Sequence, residues 1–404
     1  VREVPRDILI LSGFLVLIIG LSLFAVWGTS PLVDEYGHKQ QIEWFVDGNF
    51  ALVPSQSMGP GYQAVIASLA KLTNSSDLAS LRFFSACLSF ASVLLFYFTS
   101  KLVTNEANLV RAMQFALLPV LFPYFARVYS DIFGFFCILL CYYFQLKNRV
   151  FIAGLAGLLG LITRQTNIVW IGMFFLLGYH TANGFTLSWD RLKRHIVKLW
   201  PYCALFLLFA IFVLINKRVA LGAKNDEQYL FLQMNNIIFL LIVFGICFLP
   251  LMVANAAIMT KCLVKTKAYI VLLICFIVYW YSFHDLHPWN DISCNFRLLR
   301  NIPLMWITSD SLYKILFFIP VFLSVLYIWV YDSTNNAIYF LGLFSLFLLS
   351  VTFLVEPRYY IPSMAFYLLF RESHGGLKEL ILTGYLAIIS FVLLYFTVAY
   401  NCVL

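Results

Sequence analysis

ILILSGFLVLIIGLSLFAVWG, residues 8–28, runs without a charge and is followed by Thr29-Ser30-Pro31-Leu32-Val33-Asp34-Glu35-Tyr36-Gly37-His38. An unbroken apolar segment of this length spans a hydrocarbon core about 30 Å thick. Paired acids so near a bilayer boundary are rarely kept without a use. Together the two stretches read as an integral membrane protein with a polar site at one membrane face. Arg2 and Arg6 before the run imitate a signal peptide. The run is too long for an h-region and lacks a small-x-small cleavage site, so it reads as a retained first span.

Composition extends the reading to the whole chain. Of 404 residues, 62% are hydrophobic and only 11% charged, against roughly 25% charged in soluble proteins. Mean hydropathy is +0.88. The 41 Phe and 23 Tyr fit lipid-facing and interfacial aromatic belts. The net charge of +8 does not indicate nucleic acid, because the basic residues sit in short loops between apolar runs rather than along one stripe. The nine Cys lie mostly inside apolar runs, without zinc or disulfide spacing, and read as small hydrophobes.

Apolar runs at 8–28, 81–99, 112–126, 129–146, 150–163, 165–180, 199–215, 236–255, 268–283, 312–330, 337–353, 358–370 and 379–399 predict about thirteen helical spans in a single domain, 1–404. The pairs 150–163/165–180 and 337–353/358–370 can also be broken or re-entrant helices. Arg2 and Arg6 put the N-terminus in the cytosol by the positive-inside rule. Alternation then collects the basic linkers 101–111, 147–149, 191–198, 261–267 and 371–378 on that side. The segments 31–80, 127–129, 163–165, 216–233, 283–311 and 356–358 fall opposite. The segment 31–80 is the largest outside the membrane and has room for two interfacial amphipathic helices, at 37–47 and 62–71. Asn74-Ser75-Ser76 within it is an N-glycosylation acceptor triplet.

The charged clusters carry the chemistry. Adjacent acids point in different directions, so Asp34 and Glu35 are not a two-carboxylate dyad; one can face a site while the other fixes it. A carboxylate near apolar surface tends toward a raised pKa unless a basic partner holds it ionised, which suits a general base; the bland alternative is a helix cap. Gly59-Pro60-Gly61-Tyr62 makes a rigid turn before an apolar helix. Arg127 and Asp131 can pair around Tyr129-Ser130-Asp131, whose Ser and Asp can equally cap a helix. Arg164, between two apolar half-runs, must meet an anion: Asp131, Glu356 or a lipid phosphate. His284-Asp285-Leu286-His287 is not diagnostic of a metal. Arg297 and Arg300 beyond it can bind phosphate or belong to an ordinary interfacial loop. Glu356 and Arg358 flank Pro357, which ends a helix, and either tie helices together or contact phosphate.

In order along the chain these motifs resemble the ALG10/DIE2 family of dolichyl-phosphate-glucose alpha-1,2-glucosyltransferases. The carriers are Asp34-Glu35-x-x-His38 with Gln40 or Gln41, Gly59-Pro60-Gly61-Tyr62, Tyr129-Ser130-Asp131, Arg164-Gln165-Thr166-Asn167-Ile168-Val169-Trp170, Leu221-Gly222 with Asp226, His287-Pro288, and Glu356-Pro357-Arg358-Tyr359-Tyr360-Ile361. The Arg164–Trp170 stretch is the most specific of these. A Gly stands where the family has the first Pro of its turn, and the basic-aromatic segment beyond His287-Pro288 is changed.

The resemblance implies an all-alpha polytopic membrane protein of the GT-C glycosyltransferase fold, with about 11–14 transmembrane helices and a lumenal first loop carrying short amphipathic helices. It places the chain in the endoplasmic reticulum membrane with its site facing the lumen. The implied reaction is inverting transfer of glucose from dolichyl-phosphate glucose to the terminal glucose of Glc2Man9GlcNAc2-PP-dolichol, by a monomer among membrane lipids. Asp34 would be the general base and Glu35 the second choice. His38, Gln41, Tyr62, Arg127, Asp131, Arg164, Gln165, Asn167, His287, Arg297, Arg300, Glu356 and Arg358 would line the donor and acceptor sites. A lipid phosphate leaves as a competent anion, so no metal and no cofactor are called for. The alternatives are another GT-C polyprenyl-phosphate-sugar transferase, mannosyl or glucosyl, and a multi-pass transporter. The transporter would favour mid-bilayer charges and internal repeats.

Overall fold

The computed structural model describes residues 3–54, 56–104, 108–221, 232–265, 268–283, 301–332, 335–352 and 354–400. Among these residues every regular element is a helix. Among the described residues four helices are long and apolar enough to cross a membrane, within Arg6–Val26, Leu78–Val103, Ser311–Tyr331 and Gly376–Tyr400. The number becomes six if two sharply bent pairs each count as one span. About thirteen spans are expected from sequence because apolar runs shorter than a full span were counted there. Ser130–Leu146, Val150–Thr163, Asn235–Cys247 and Asn336–Ser350 are apolar helices of this shorter kind. The protein is an all-α polytopic membrane protein.

The chain divides into two compact units, Val1–Ala112 with Tyr124–Tyr229, and Met113–Pro123 with Leu230–Leu404. In the first, α1 (Glu3–Val26) leads into α2 (Glu35–Val46) and α3 (Gly61–Thr73), followed by the long α4 (Leu78–Val103). The two short helices lie where the sequence predicts amphipathic segments. Their apolar faces meet the ends of α4 and the later α6 in one core of Ile42, Tyr62, Ile66, Ala67, Ala70, Leu81, Val128, Phe133 and Cys137. Asp77 caps α4, accepting from the N–H groups of Ala79 at 3.0 Å and Ser80 at 3.1 Å.

The span expected at 112–126 does not form. Helix α5 (Asn108–Ala116) ends early, and one 3-10 turn, Phe122–Tyr124, interrupts the irregular chain that follows. Pro119 and Pro123 are the cause, since each lacks the N–H that a continuing helix needs. Beyond it α6 (Ser130–Leu146) and α7 (Val150–Thr163) form an antiparallel hairpin. Arg164, extended at φ −143° and ψ 118°, separates α7 from α8 (Asn167–Asn183), so the run 150–180 is two helices. Helix α9 (Trp189–Lys198) then meets α10 (Trp200–Asn216) at 83°. Exposed Trp189, Val197 and Trp200 flank its basic residues, the pattern of an interfacial helix.

In the second unit α11 (Asn235–Cys247), α12 (Leu249–Ala254), α13 (Ala256–Lys265) and α14 (Ala268–Ser282) precede α15 (Ile302–Ser309) and α16 (Ser311–Tyr327). Ser324 of α16 donates to Leu241 O of α11 at 2.7 Å. Helices α17 (Asn336–Ser350), α18 (Ile361–Phe370) and α19 (Gly376–Tyr400) complete it. Arg371 and Glu379 pair in its interior, and Gln114 bonds to both.

Candidate active site

Asp34 and Glu35 open α2 with opposite fates. Glu35 has no exposed surface. Its Oε1 accepts from Arg82 Nε at 3.1 Å and Val128 N at 2.9 Å. Its Oε2 accepts from Arg82 Nη2 at 2.8 Å, Arg127 Nη1 at 3.2 Å and Leu32 N at 2.8 Å. Burial alone would push the carboxyl up. The Arg82 hydrogen bonds, the charges of Arg127 and Arg82 and the Val128 N–H outweigh it and hold the group below the ordinary carboxylate value. A carboxylate so engaged is a poor base. Asp34 is half-buried and sits at the N-cap position, yet its side chain makes no capping bond. Of the two acids, Glu35 is thus the one that fixes structure, a choice left open by their adjacency.

Arg127 therefore pairs with Glu35 and not with Asp131, as its position in sequence suggested. Asp131, in the first turn of α6, pairs with Arg164 at the end of α7. Asp131, one of the partners considered for Arg164, meets it here, and the guanidinium stays partly exposed, its side chain 14% accessible. Tyr129 lies between Arg127 and Asp131 in the chain. Its hydroxyl donates to Leu32 O at 3.0 Å and accepts from Asp34 N at 3.3 Å, two residues before Asp131.

His38 is packed between the rings of Tyr62 and Tyr129, with centroids 5.8 and 5.9 Å away. Its Nδ1 faces the amide nitrogens of Gln56 at 3.1 Å and Gln63 at 2.8 Å. The Tyr62 hydroxyl is paired with Ser85 Oγ at 2.7 Å. Burial raises its pKa, so the phenol holds its proton. Gln41 clamps a loop: its Nε2 donates to Ala51 O at 3.0 Å and its Oε1 accepts from Val53 N at 2.8 Å. Both polar ends of this sequence-predicted binding residue are bonded to backbone.

The Gly-Pro-Gly turn has a packing reason. A Cβ at Gly59 would lie 1.9 Å from the backbone oxygen of Ile162, and one at Gly61 would lie 2.6 Å from Thr163 Oγ1. Only glycine lets the turn press against the end of α7. That approach brings Gln165 Nε2 to 3.4 Å from Ser57 O. Asn167 Nδ2 joins Gly134 O of α6 at 3.2 Å to Gly160 O of α7 at 2.9 Å. The Arg164–Asn167 motif is thus the joint of three helices, with Arg164 at its partly open side.

In the second unit Glu356 and Arg358 are both buried and pair locally, Arg358 Nε donating to Glu356 Oε1 at 2.9 Å. His287, Arg297 and Arg300 lie outside the described residues. Arg82 and Gln63 were not singled out from sequence, and Tyr129 only as part of a motif. Arg82 left a signal: a lone Arg inside an apolar run needs a buried anion.

A family model described as the DIE2/ALG10 family matches residues 28–184, the stretch that carries Asp34, Glu35, Arg127, Asp131 and Arg164. Curated relatives named Dol-P-Glc:Glc(2)Man(9)GlcNAc(2)-PP-Dol alpha-1,2-glucosyltransferase are similar. A protein from Homo sapiens is 24% identical over 273 residues, covering 53% of this chain and 56% of the relative. One from Debaryomyces hansenii is 24% identical over 249 residues, 54% of each chain. One from Candida albicans is 24% identical over 303 residues, 69% of this chain and 65% of the relative. The chain spans about half the length of the first two. No solved structure matches it.

Proposed function

We propose that this chain is a glucosyltransferase of the DIE2/ALG10 type. In this reading it moves glucose from dolichyl-phosphate glucose to the terminal glucose of Glc2Man9GlcNAc2-PP-dolichol. The work is done in the endoplasmic reticulum membrane, with the site on the lumenal face. The observation that supports it most is the difference between neighbouring acids: Glu35 is fully buried and saturated by Arg82, Arg127 and backbone N–H groups, while Asp34 beside it at the start of α2 is half-buried.

In this reading the acceptor's 2-hydroxyl lies against Asp34. Its proton passes to the Asp34 carboxylate as its oxygen bonds to the anomeric carbon from the face opposite the phosphate. The bond from that carbon to the phosphate oxygen breaks, the electron pair leaves with dolichyl phosphate, and configuration inverts. The departing phosphate is already an anion, so it needs positive charge and hydrogen bonds rather than an acid, a metal or a cofactor. Arg164 is the candidate among the site residues of the first unit, because its guanidinium, though paired with Asp131, is partly exposed, whereas Arg82 and Arg127 are buried against Glu35.

The test is the purified full chain in lipid, assayed against dolichyl-phosphate glucose and dolichyl-phosphate mannose with acceptors carrying none, one, two or three glucoses. Transfer from the glucose donor alone, to the two-glucose acceptor alone, is the expected result. Transfer of mannose would overturn the assignment in favour of another polyprenyl-phosphate-sugar transferase.

A further inference from the structure

Val33, immediately before Asp34, has φ +38°. A β-branched residue at positive φ is an outlier that persists only where its surroundings over-determine it. The other non-glycine residues with positive φ among those described are Asn74, Asn148 and Lys217. Asn74 and Lys217 end helices α3 and α10, and Asn148 lies in the α6–α7 turn. Val33 lies instead at the entrance to α2, one residue from the proposed base.

The backbone on both sides of Val33 is fastened. The Leu32 N–H donates to Glu35 Oε2 at 2.8 Å, and the Leu32 carbonyl accepts from the Tyr129 hydroxyl at 3.0 Å. The Asp34 N–H donates to that same hydroxyl at 3.3 Å. Arg82 holds Glu35 through both carboxylate oxygens. Its remaining N–H groups reach the carbonyls of Val26 at 2.6 Å, Thr29 at 3.0 Å and Ser30 at 3.2 Å. Relaxing Val33 to negative φ would swing the next Cα–Cβ bond, and so the Asp34 carboxylate, away from its present direction.

We propose that Arg82 and Tyr129 are positioning residues that, with Glu35, hold a strained turn at Val33 and so aim the Asp34 carboxylate at the acceptor hydroxyl. This deepens the reading of Asp34 as the base and rests on it. Neither residue touches the reacting atoms. Tyr129 acts through the backbone of Leu32 and Asp34, and Arg82 through the Glu35 carboxylate and the carbonyls of Val26, Thr29 and Ser30.

The test is a double-mutant cycle of Tyr129→Phe and Val33→Gly in the full chain, read both by steady-state kinetics and by thermal midpoint. Phe keeps the ring and removes only the hydroxyl. Tyr129→Phe is expected to lower kcat roughly tenfold to a hundredfold with KM for donor and acceptor within about twofold, as misaiming a catalytic group does. Glycine occupies positive φ without penalty, so adding Val33→Gly should bring kcat back to within about threefold of the unsubstituted protein and recover part of the midpoint. Arg82→Gln, where it folds, should be rescued in the same direction. An unchanged kcat in Tyr129→Phe, or a loss that Val33→Gly does not relieve, overturns the positioning role, even if the midpoints couple. An unsubstituted protein without transferase activity overturns Asp34 as the base. The midpoint cycle then judges the turn alone: coupling supports pinned strain, and additivity overturns it.

Discussion

At the scale of single residues, two neighbouring acids have different consequences when neutralised. Asp34→Asn removes the proposed proton acceptor and no capping bond. Turnover should fall about 10²- to 10⁴-fold, in line with general-base catalysis; near-normal turnover in the transfer assay would remove Asp34 from the mechanism. Glu35→Gln leaves Arg82 and Arg127 facing a neutral amide in a buried site. Breaking such a pair costs about 3–5 kcal/mol, so denaturant unfolding should show a large loss of stability. The sign of the pH dependence follows from the lowered Glu35 pKa. Its contribution is fully present above the ordinary value of 4.5 and is lost as pH falls through the depressed folded value. Acid should therefore destabilise the unsubstituted protein more than Glu35→Gln.

At the scale of elements, the Gly-Pro-Gly turn and the α4 cap can be probed separately. Gly59→Ala would place a methyl 1.9 Å from the Ile162 carbonyl oxygen, so turn or helix must move. Overpacking of this kind costs about 1–3 kcal/mol. Because Gln165 meets Ser57 across the same joint, activity should fall with stability; an unchanged midpoint in Gly59→Ala would show that the turn stands off α7. Asp77→Ala removes a helix cap outside the proposed site, which costs about 1 kcal/mol and should leave KM unaltered. The Ser75 and Ser80 hydroxyls hold the Asp77 carboxyl down at about 2, so this cap persists above the ordinary value and weakens only as pH falls toward 2. The amphipathic helices α2 and α3 were legible from their patterning. The 112–126 run was misread because apolar composition hid two prolines that forbid a continuous helix.

At the scale of the whole molecule, sidedness can be tested through the first unit. Tyr129 binds the loop before α2, so α6 starts on the Asp34 face. The Arg164–Asp131 pair returns α7 to that face, and α8 then carries the chain to α9 at the other end. A Cys introduced at exposed Asn74 and one at exposed Lys193 should therefore react with an impermeant thiol reagent from opposite sides of sealed vesicles, above the background of the native cysteines. Labelling of both from one side would break this path.

The sequence by itself determined the helical, membrane-embedded character and the residues worth watching. Apolar run length, basic linkers and isolated charges are local properties, and a charge stranded in an apolar run demands a partner wherever it folds. Only the tertiary structure decided which partner. Glu35 meets Arg82 and Arg127 from 47 and 92 residues away, and Arg164 meets Asp131 across a hairpin. Such pairings are chosen by how helices pack, not by spacing along the chain. Packing made Glu35 a buried fastener and left Asp34, its neighbour, half-buried.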